Sequence, residues 1–189
     1  MTKKRKPESE MMSYGYDPHL SEGAAKTPLF QTSTFVFKNS EEGKAHFHIA
    51  YGLRKKRKNE SVSLAYSRIN NPNAEIVEER LKIWDNAEAC AVFQSGMAAI
   101  TTTILEITKP NTLIMHSSPL YGGTDHFIKH VLPKYGIKSM YFDSFDSIDK
   151  IVNKKNIKYP NLKVSLVYIE SPANPTNSLV DIKKSKEIA

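Results

Sequence analysis

A serine and a glycine, Ser95 and Gly96, lie between two apolar runs in the middle of the chain. The run 89–93 has the length of a strand and the run 97–107 the length of a helix, so the stretch predicts a strand, a tight turn and a helix. Gly96 lets a ligand come close to the main chain, and the first amides of a helix have no internal acceptor. These amides and the helix dipole favour an anion such as phosphate, and Ser95 adds a hydroxyl donor. Taken alone, the stretch fits an ordinary turn before a helix more readily.

Two further polar segments carry an aromatic ring and an amide. Tyr121 precedes Gly122 and Gly123, which leave room for a ligand, and Asn174 precedes Pro175. Proline restrains the residue before it, so the Asn174 amide can be aimed. An anion site, a flat ring and an aimed amide would together suit a phosphorylated aromatic ring.

Strands and helices alternate in the second half of the chain, which predicts a mostly parallel sheet with flanking helices. In such sheets, ligands bind beyond the carboxyl ends of the strands, so the three polar segments are expected to converge there. The predicted strands are residues 112–116, 137–142 and 162–169, with helices near residues 124–132 and 145–153.

The first part of the chain predicts less regular structure. Residues 1–12 are expected to be a disordered tail, and residues 14–37 an extended arm that packs on its own body or on a neighbouring subunit. A helix is predicted from Ser40 towards Ala50, followed by an exposed basic loop, residues 54–59.

A second helix in this part is predicted to begin after Asn71. Asn71 is a natural cap, Pro72 suits the first helical position, and Val77, Leu81 and Trp84 share one face. We divide the chain into residues 1–60, the tail and arm with the basic loop, and residues 61–189, the first part of a larger domain.

Composition narrows the classes of function. The 189 residues are 40% hydrophobic and 25% charged, which is typical of a globular protein, and no segment predicts a membrane span. Cys90 is the only cysteine, which excludes an internal disulfide and a cysteine-rich zinc site. We expect Cys90 to be a small, buried apolar side chain within the predicted strand. The cytoplasm is the expected location.

The basic runs and the histidine pairs raise two other functions, nucleic-acid binding and metal binding, which the sequence favours less. The net charge of +7 comes largely from the basic runs 3–6 and 54–58, which favour a solvated tail and loop over nucleic-acid binding. The pairs His46 with His48 and His126 with His130 have spacings that can ligate, but the second pair lacks the acidic partner of a zinc protease, and no metal site is predicted.

At these segments the chain resembles the pyridoxal-phosphate (PLP) enzymes of sulfur amino-acid metabolism, which include cystathionine γ-synthase, cystathionine lyases and methionine γ-lyase. The resemblance runs from about Tyr14 to the end. It rests on four motifs in order, which are Tyr66-Ser67-Arg68-Ile69-Asn70-Asn71-Pro72, Ser95-Gly96-Met97-Ala98-Ala99-Ile100, Leu120-Tyr121-Gly122-Gly123-Thr124 and Glu170-Ser171-Pro172-Ala173-Asn174-Pro175.

The resemblance implies an α/β fold of type I among PLP-dependent transferases, the aspartate-aminotransferase type. It implies that Ser95, Gly96 and Met97 bind the cofactor phosphate. It also implies that Tyr121 stacks on the pyridine ring and takes part in proton transfer, and that Asn174 bonds the phenolic oxygen of the ring.

The same resemblance implies a homodimer or homotetramer with shared active sites, in which Tyr66 and Arg68 contact the phosphate of a neighbouring subunit's cofactor. Neither nucleic acid nor a membrane is an expected partner. The implied activity is elimination or replacement at the β or γ carbon of a sulfur amino acid in trans-sulfuration, of the cystathionine γ-synthase or lyase type, with methionine γ-lyase as the alternative.

Two departures from the family pattern qualify these expectations. The family's aspartate under the pyridine nitrogen and its Schiff-base lysine are not recognised in this sequence. We therefore expect the N-terminal, truncated part of a longer enzyme, inactive alone, and a non-catalytic cofactor-binding domain is the alternative for these residues. Methionine γ-lyases commonly carry cysteine at the position of Gly123, which slightly favours the synthase and lyase branches.

Overall fold

A computed structural model describes residues 5–58, 60, 62–143 and 146–189. The chain forms two compact units, Met1–Val92 and Phe93–Ala189. The domain division proposed from the sequence, at residue 60, stays a prediction.

Among its described residues, the first unit contains three α-helices. Helix α1 (Pro7–Glu10) is short, α2 spans Ser40–Ala50 and α3 spans Pro72–Asp85. A 3₁₀-helix, Pro18–Ser21, lies between α1 and α2. The prediction of a wholly disordered tail is wrong for residues 7–10, because Pro7 at the first helical position and acidic residues in the first turn support a helix there. The basic run 3–6 and the loop 54–59 lie partly outside the described residues.

The predictions for α2 and α3 are confirmed. The Asn39 side chain accepts from the Glu42 amide and caps α2, while the Asn71 side chain accepts from the Asn73 amide and caps α3. Ile76 is the buried residue of α3. Its neighbours Val77, Leu81 and Trp84, which share the predicted apolar face, stay 46–49% exposed.

The second unit is a three-stranded parallel sheet between helices. Strand β1 (Thr112–Ser117) is central, with β2 (Lys138–Phe142) on one side and β3 (Lys163–Tyr168) on the other. Both pairs are parallel, as predicted, with Met115 opposite Met140 and Val167. The helices are α4 (Gly96–Ile107), α5 (Gly122–His126), α6 (Ile148–Lys158) and α7 (Ile182–Ile188).

Alternate residues of β1 pack into two cores, one on each face of the sheet. Ile114 packs with residues of α4 and of the segment after α5, including Ile104 and Ile128. Leu113 and Met115 pack with residues of β2 and α6, as well as flanking residues of β3 and α7. Burial of both faces of β1 is what a parallel sheet covered by helices requires.

Three details differ from the predicted elements. The strand predicted for residues 89–93 is wrong: these residues form no strand, and no described strand pairs with them. An apolar run becomes a strand only where a neighbour accepts its backbone hydrogen bonds. Cys90 therefore lies outside any strand and is half-buried.

The helix predicted near residues 124–132 is confirmed in place but is not a single α-helix. Helix α5 continues as a π-helix, Phe127–Val131, and then as a 3₁₀-helix, Leu132–Tyr135. The helix predicted near residues 145–153 begins at Ile148, and Phe145 lies outside the described residues.

Candidate functional site

The first turn of α4 presents two backbone amides. The Ser95 side chain caps the helix by accepting from the Ala98 amide at 3.1 Å, and the Ala99 amide donates to the Ser95 carbonyl at 3.1 Å. Within the described part of the chain, the Gly96 and Met97 amides have no acceptor. A Cβ added to Gly96 would meet no atom within 4 Å, so the space beside this backbone is open.

Tyr121 lies beside this turn. A Cβ added to Gly123 would be 2.8 Å from Cε1 of Tyr121 and 2.9 Å from Sδ of Met97. Gly123 therefore keeps the aromatic ring close to the side chain of the second residue of α4. Tyr121 is 43% exposed, so part of this residue is accessible to a ligand.

Glu170 joins the segments that follow β1 and β3. Its Oε2 accepts the Tyr121 amide at 2.5 Å, and its Oε1 accepts the Tyr168 hydroxyl at 3.0 Å. The Glu170 amide donates to Oγ of Ser117 at 3.2 Å. Two of the three segments predicted to converge, those after β1 and β3, are thus joined by the Glu170 carboxylate.

Two titratable groups of the strands lie near this junction. Tyr168 is partly buried, and burial, followed by the neighbouring Glu170 carboxylate, raises the pKa of its phenol to about 12. His116 is buried in β1 with Nδ1 2.8 Å from the Ser117 carbonyl, and burial lowers the pKa of its imidazole. Both shifts favour the neutral side chain near pH 7.

Asn174 lies four residues beyond Glu170 in an exposed turn. The turn is closed by the Ala173 amide, which donates to the Ser178 carbonyl at 2.9 Å, and by the Asn177 amide, which donates to the Ala173 carbonyl at 2.7 Å. Ala173 is buried beneath it. The Asn174 side chain is therefore presented from an anchored backbone.

Tyr66 and Arg68 belong to the first unit. Tyr66 forms an antiparallel bridge with Thr34 of the arm, and its carbonyl accepts the amides of Ile69 and Asn70 at 2.8 and 3.0 Å. The Arg68 guanidinium carbon lies 5.4 Å from the centroid of the Tyr66 ring. Both side chains are exposed, so this tight turn presents an aromatic ring and a cation to solvent.

The structure brings Met97 and Tyr121 together and links Tyr121 to the segment that contains Asn174. Sequence reasoning singled out these residues and placed Ser117 in the loop that contains Tyr121, but it missed Tyr168, whose hydroxyl bonds to Glu170. The position of Tyr168 at the carboxyl end of β3 is the signal that could have indicated it. The described residues include no group of three or more His, Cys, Asp and Glu side chains that could hold a metal ion. His126 and His130 have ring centroids 5.0 Å apart.

The two α4 amides and the open space beside Gly96 fit a phosphate, and the adjacent Tyr121 ring fits a planar group. Fold and site together define an α/β protein in which the first amides of a helix lie close to a tyrosine that follows the central strand of a parallel sheet. A family model for Cys/Met metabolism PLP-dependent enzymes matches residues 8–189. The chain belongs to this family, which confirms the predicted fold class and the predicted dependence of the family on PLP.

Relatives with described activities include two methionine γ-lyases. The chain is 36% identical to that of Treponema denticola, with 88% of this chain and 38% of the relative covered. It is 33% identical to the methionine γ-lyase of Pseudomonas putida, with 93% of this chain and 40% of the relative covered. An O-acetyl-L-homoserine sulfhydrylase of Leptospira meyeri is 28% identical, with 100% and 39% covered. The chain thus spans about two fifths of the length of these relatives.

Solved structures show the same fold. An O-acetylhomoserine (thiol)-lyase of Campylobacter jejuni superimposes with a TM-score of 0.78 at 24% identity, covering 98% of this chain and 42% of that one. The metB structure of Corynebacterium glutamicum gives a TM-score of 0.73 at 24% identity, covering 97% and 42%. No helix among the described residues is both long enough and apolar enough to cross a membrane.

Proposed function

We propose that this chain is the N-terminal part of an enzyme that uses PLP for elimination or replacement at the β or γ carbon of a sulfur amino acid. The observation that carries the proposal is the pair of α4 amides beside open space, next to the Tyr121 ring, in a member of a PLP-dependent family. When bound, PLP supplies an electron sink for bond breaking at the substrate α carbon.

Each site residue has a role within this proposal. Gly96 and Met97 hold the phosphate with their amides, and Ser95 adds its hydroxyl while its oxygen caps the helix. Tyr121 places its ring against the cofactor ring and its phenol within the site, where it can move a proton. The side-chain amide of Asn174 donates a hydrogen bond to the phenolic oxygen of the cofactor.

Tyr66 and Arg68 are proposed to act across a subunit interface, where the guanidinium pairs with the phosphate of the neighbour's cofactor. Their exposure on the first unit supports a partner outside this chain. Mixing R68A subunits with Y121A subunits of the complete protein tests this arrangement. If the site is shared, the mixture regains activity, because some sites then combine an intact Arg68 with an intact Tyr121. Failure of every mixture to regain activity contradicts the sharing.

Two activities remain candidates for the complete protein. The relatives named methionine γ-lyase favour γ-elimination of methionine. Gly123 favours the cystathionine synthase and lyase branches, and the sulfhydrylase relative favours replacement. Release of an α-keto acid from methionine by the PLP-loaded protein would support elimination. Formation of cystathionine or homocysteine from an activated homoserine would support replacement. The absence of all these products contradicts the proposed enzyme.

For residues 1–189 alone, we propose cofactor binding without turnover. Lys183, Lys184 and Lys186 belong to α7, a charged segment unlike the family's setting for the lysine that anchors PLP. After incubation with PLP, treatment with borohydride and removal of free cofactor, the chain should carry no covalently bound pyridoxyl group. A pyridoxylated peptide found by mass spectrometry would identify an anchoring lysine and contradict this part of the proposal.

A further inference from the structure

Glu170 follows β3, and its side chain bonds both to the loop after β1 and to the last residue of β3. One carboxylate oxygen accepts the backbone amide of Tyr121 and the other accepts the hydroxyl of Tyr168. Its own amide donates to Ser117 at the end of β1. The residue is thus bound at three points: to Ser117 at the end of β1, to Tyr121 in the following loop and to Tyr168 at the end of β3.

The contact to Tyr121 fixes the start of α5. Tyr121 occupies the N-cap position but has no capping hydrogen bond from its own side chain. Its carbonyl accepts the Asp125 amide at 2.9 Å, and its amide is held by Glu170. The backbone on both sides of the aromatic residue is therefore set by hydrogen bonds, and a bond to a carboxylate is the stronger kind.

The ring of Tyr121 depends on this backbone for its position. Its Cε1 lies close to Gly123 and the Met97 thioether lies against the same glycine, so there is little free space on that side. A shift of the Tyr121 backbone would move the ring relative to the α4 amides. We propose that Glu170 is a positioning residue that fixes the distance between the Tyr121 ring and the phosphate site of α4. The proposal rests on the proposed function, since it assigns a role toward the same cofactor.

Three substitutions of Glu170 distinguish the effect of its hydrogen bonds on the position of Tyr121 from the effect of its negative charge. E170Q keeps the length of the side chain: its amide oxygen can accept from Tyr121 while its NH₂ donates to the Tyr168 oxygen. E170A removes both bonds, and E170D keeps the charge but shortens the reach by one methylene. We expect the PLP dissociation constant of E170A to rise about tenfold and that of E170Q to stay near the wild-type value.

A second measurement does not involve the cofactor. Hydrogen exchange of the Tyr121 amide, followed by NMR, should be about tenfold faster in E170A and near wild type in E170Q. The Met115 amide at the centre of β1 is the internal control and should keep its exchange rate. If E170A does not fold, E170D takes its place, because its shorter side chain cannot span the same distance.

The double variant E170A/Y121A decides whether Glu170 acts through Tyr121. If it does, the double variant binds PLP no more weakly than Y121A. If the losses of PLP affinity in E170A and Y121A add up in the double variant, the positioning role is overturned. An unchanged exchange rate of the Tyr121 amide in E170A overturns it as well. A wild-type chain that binds no PLP counts against the proposed function, and the amide exchange still tests the contact made by Glu170.

Discussion

At the scale of single residues, two adjacent glycines offer a matched test of the space around Tyr121. A Cβ at position 123 would lie within 3 Å of the Tyr121 ring and of the Met97 sulfur, whereas a Cβ at position 122 would meet nothing within 4 Å. G123A should therefore displace the ring or the thioether and weaken PLP binding about tenfold, and G122A should not. Fluorescence titration with PLP measures both variants. Equal affinities would show that the site adjusts to the methyl group without loss.

Tyr168 provides a second prediction at this scale, concerning stability against pH. Its pKa of about 12 in the folded chain exceeds the ordinary tyrosine value of about 10. The unfolded chain therefore loses this proton first as the pH rises. The stabilisation of the folded chain by the protonated Tyr168 phenol is fully present below about pH 10 and is lost between about pH 10 and pH 12.

Urea unfolding at pH 9 and pH 11 measures this effect in wild type and in Y168F. Between the two pH values, the free energy of unfolding should fall by on the order of 1 kcal/mol more in the wild type than in Y168F. This figure is below the full linkage energy because Tyr168 is only partly buried. The phenylalanine variant is the control for the other groups that titrate in this range. Parallel losses would mean that the Tyr168 pKa is unshifted.

At the scale of elements, Ser95 combines two roles that can be separated. As the cap of α4, its oxygen accepts the Ala98 amide, and S95A should lower the free energy of unfolding by about 1 kcal/mol. S95D keeps a capping oxygen and the favourable charge at the helix start, so its stability should stay near that of the wild type. Its carboxylate would repel a phosphate, and PLP affinity should fall more in S95D than in S95A. Chemical unfolding and PLP titration measure the two roles. Tighter PLP binding by S95D would argue against a phosphate at α4.

The elements also show how far sequence reasoning reaches. Local signals, such as the Asn71 cap with Pro72 and the spacing of apolar residues, correctly predicted α2, α3 and the three strands. The run 89–93 has equally good strand composition but forms no strand, because pairing depends on a neighbour that local sequence does not reveal. The contacts of Glu170 with Tyr121 and Tyr168 join positions 49 and 2 residues apart, and the longer of these depends on the sheet. Sequence patterns thus singled out the segments of the candidate site, but not the bonds between them.

At the scale of the whole molecule, the exposed apolar face of α3 bears on assembly. Val77, Leu81 and Trp84 lie on one face and remain about half exposed, and β2 and β3 are the outer strands of the described sheet. An exposed apolar face and open strand edges favour association. The chain spans about two fifths of the length of its relatives, so these relatives contain further chain that is available to cover the corresponding surfaces.

We expect residues 1–189 alone to associate as their concentration rises, through α3. Trp84 is the only tryptophan, so its emission should shift to shorter wavelength as light scattering detects larger species. L81E should weaken association, because it places a charge on the same face. I157E is the matched control: Ile157 of α6 is 84% exposed and lies in the other unit, so its substitution should leave the Trp84 shift unchanged. A monodisperse monomer at all concentrations would contradict association, and equal effects of L81E and I157E would exclude α3 as the specific contact surface.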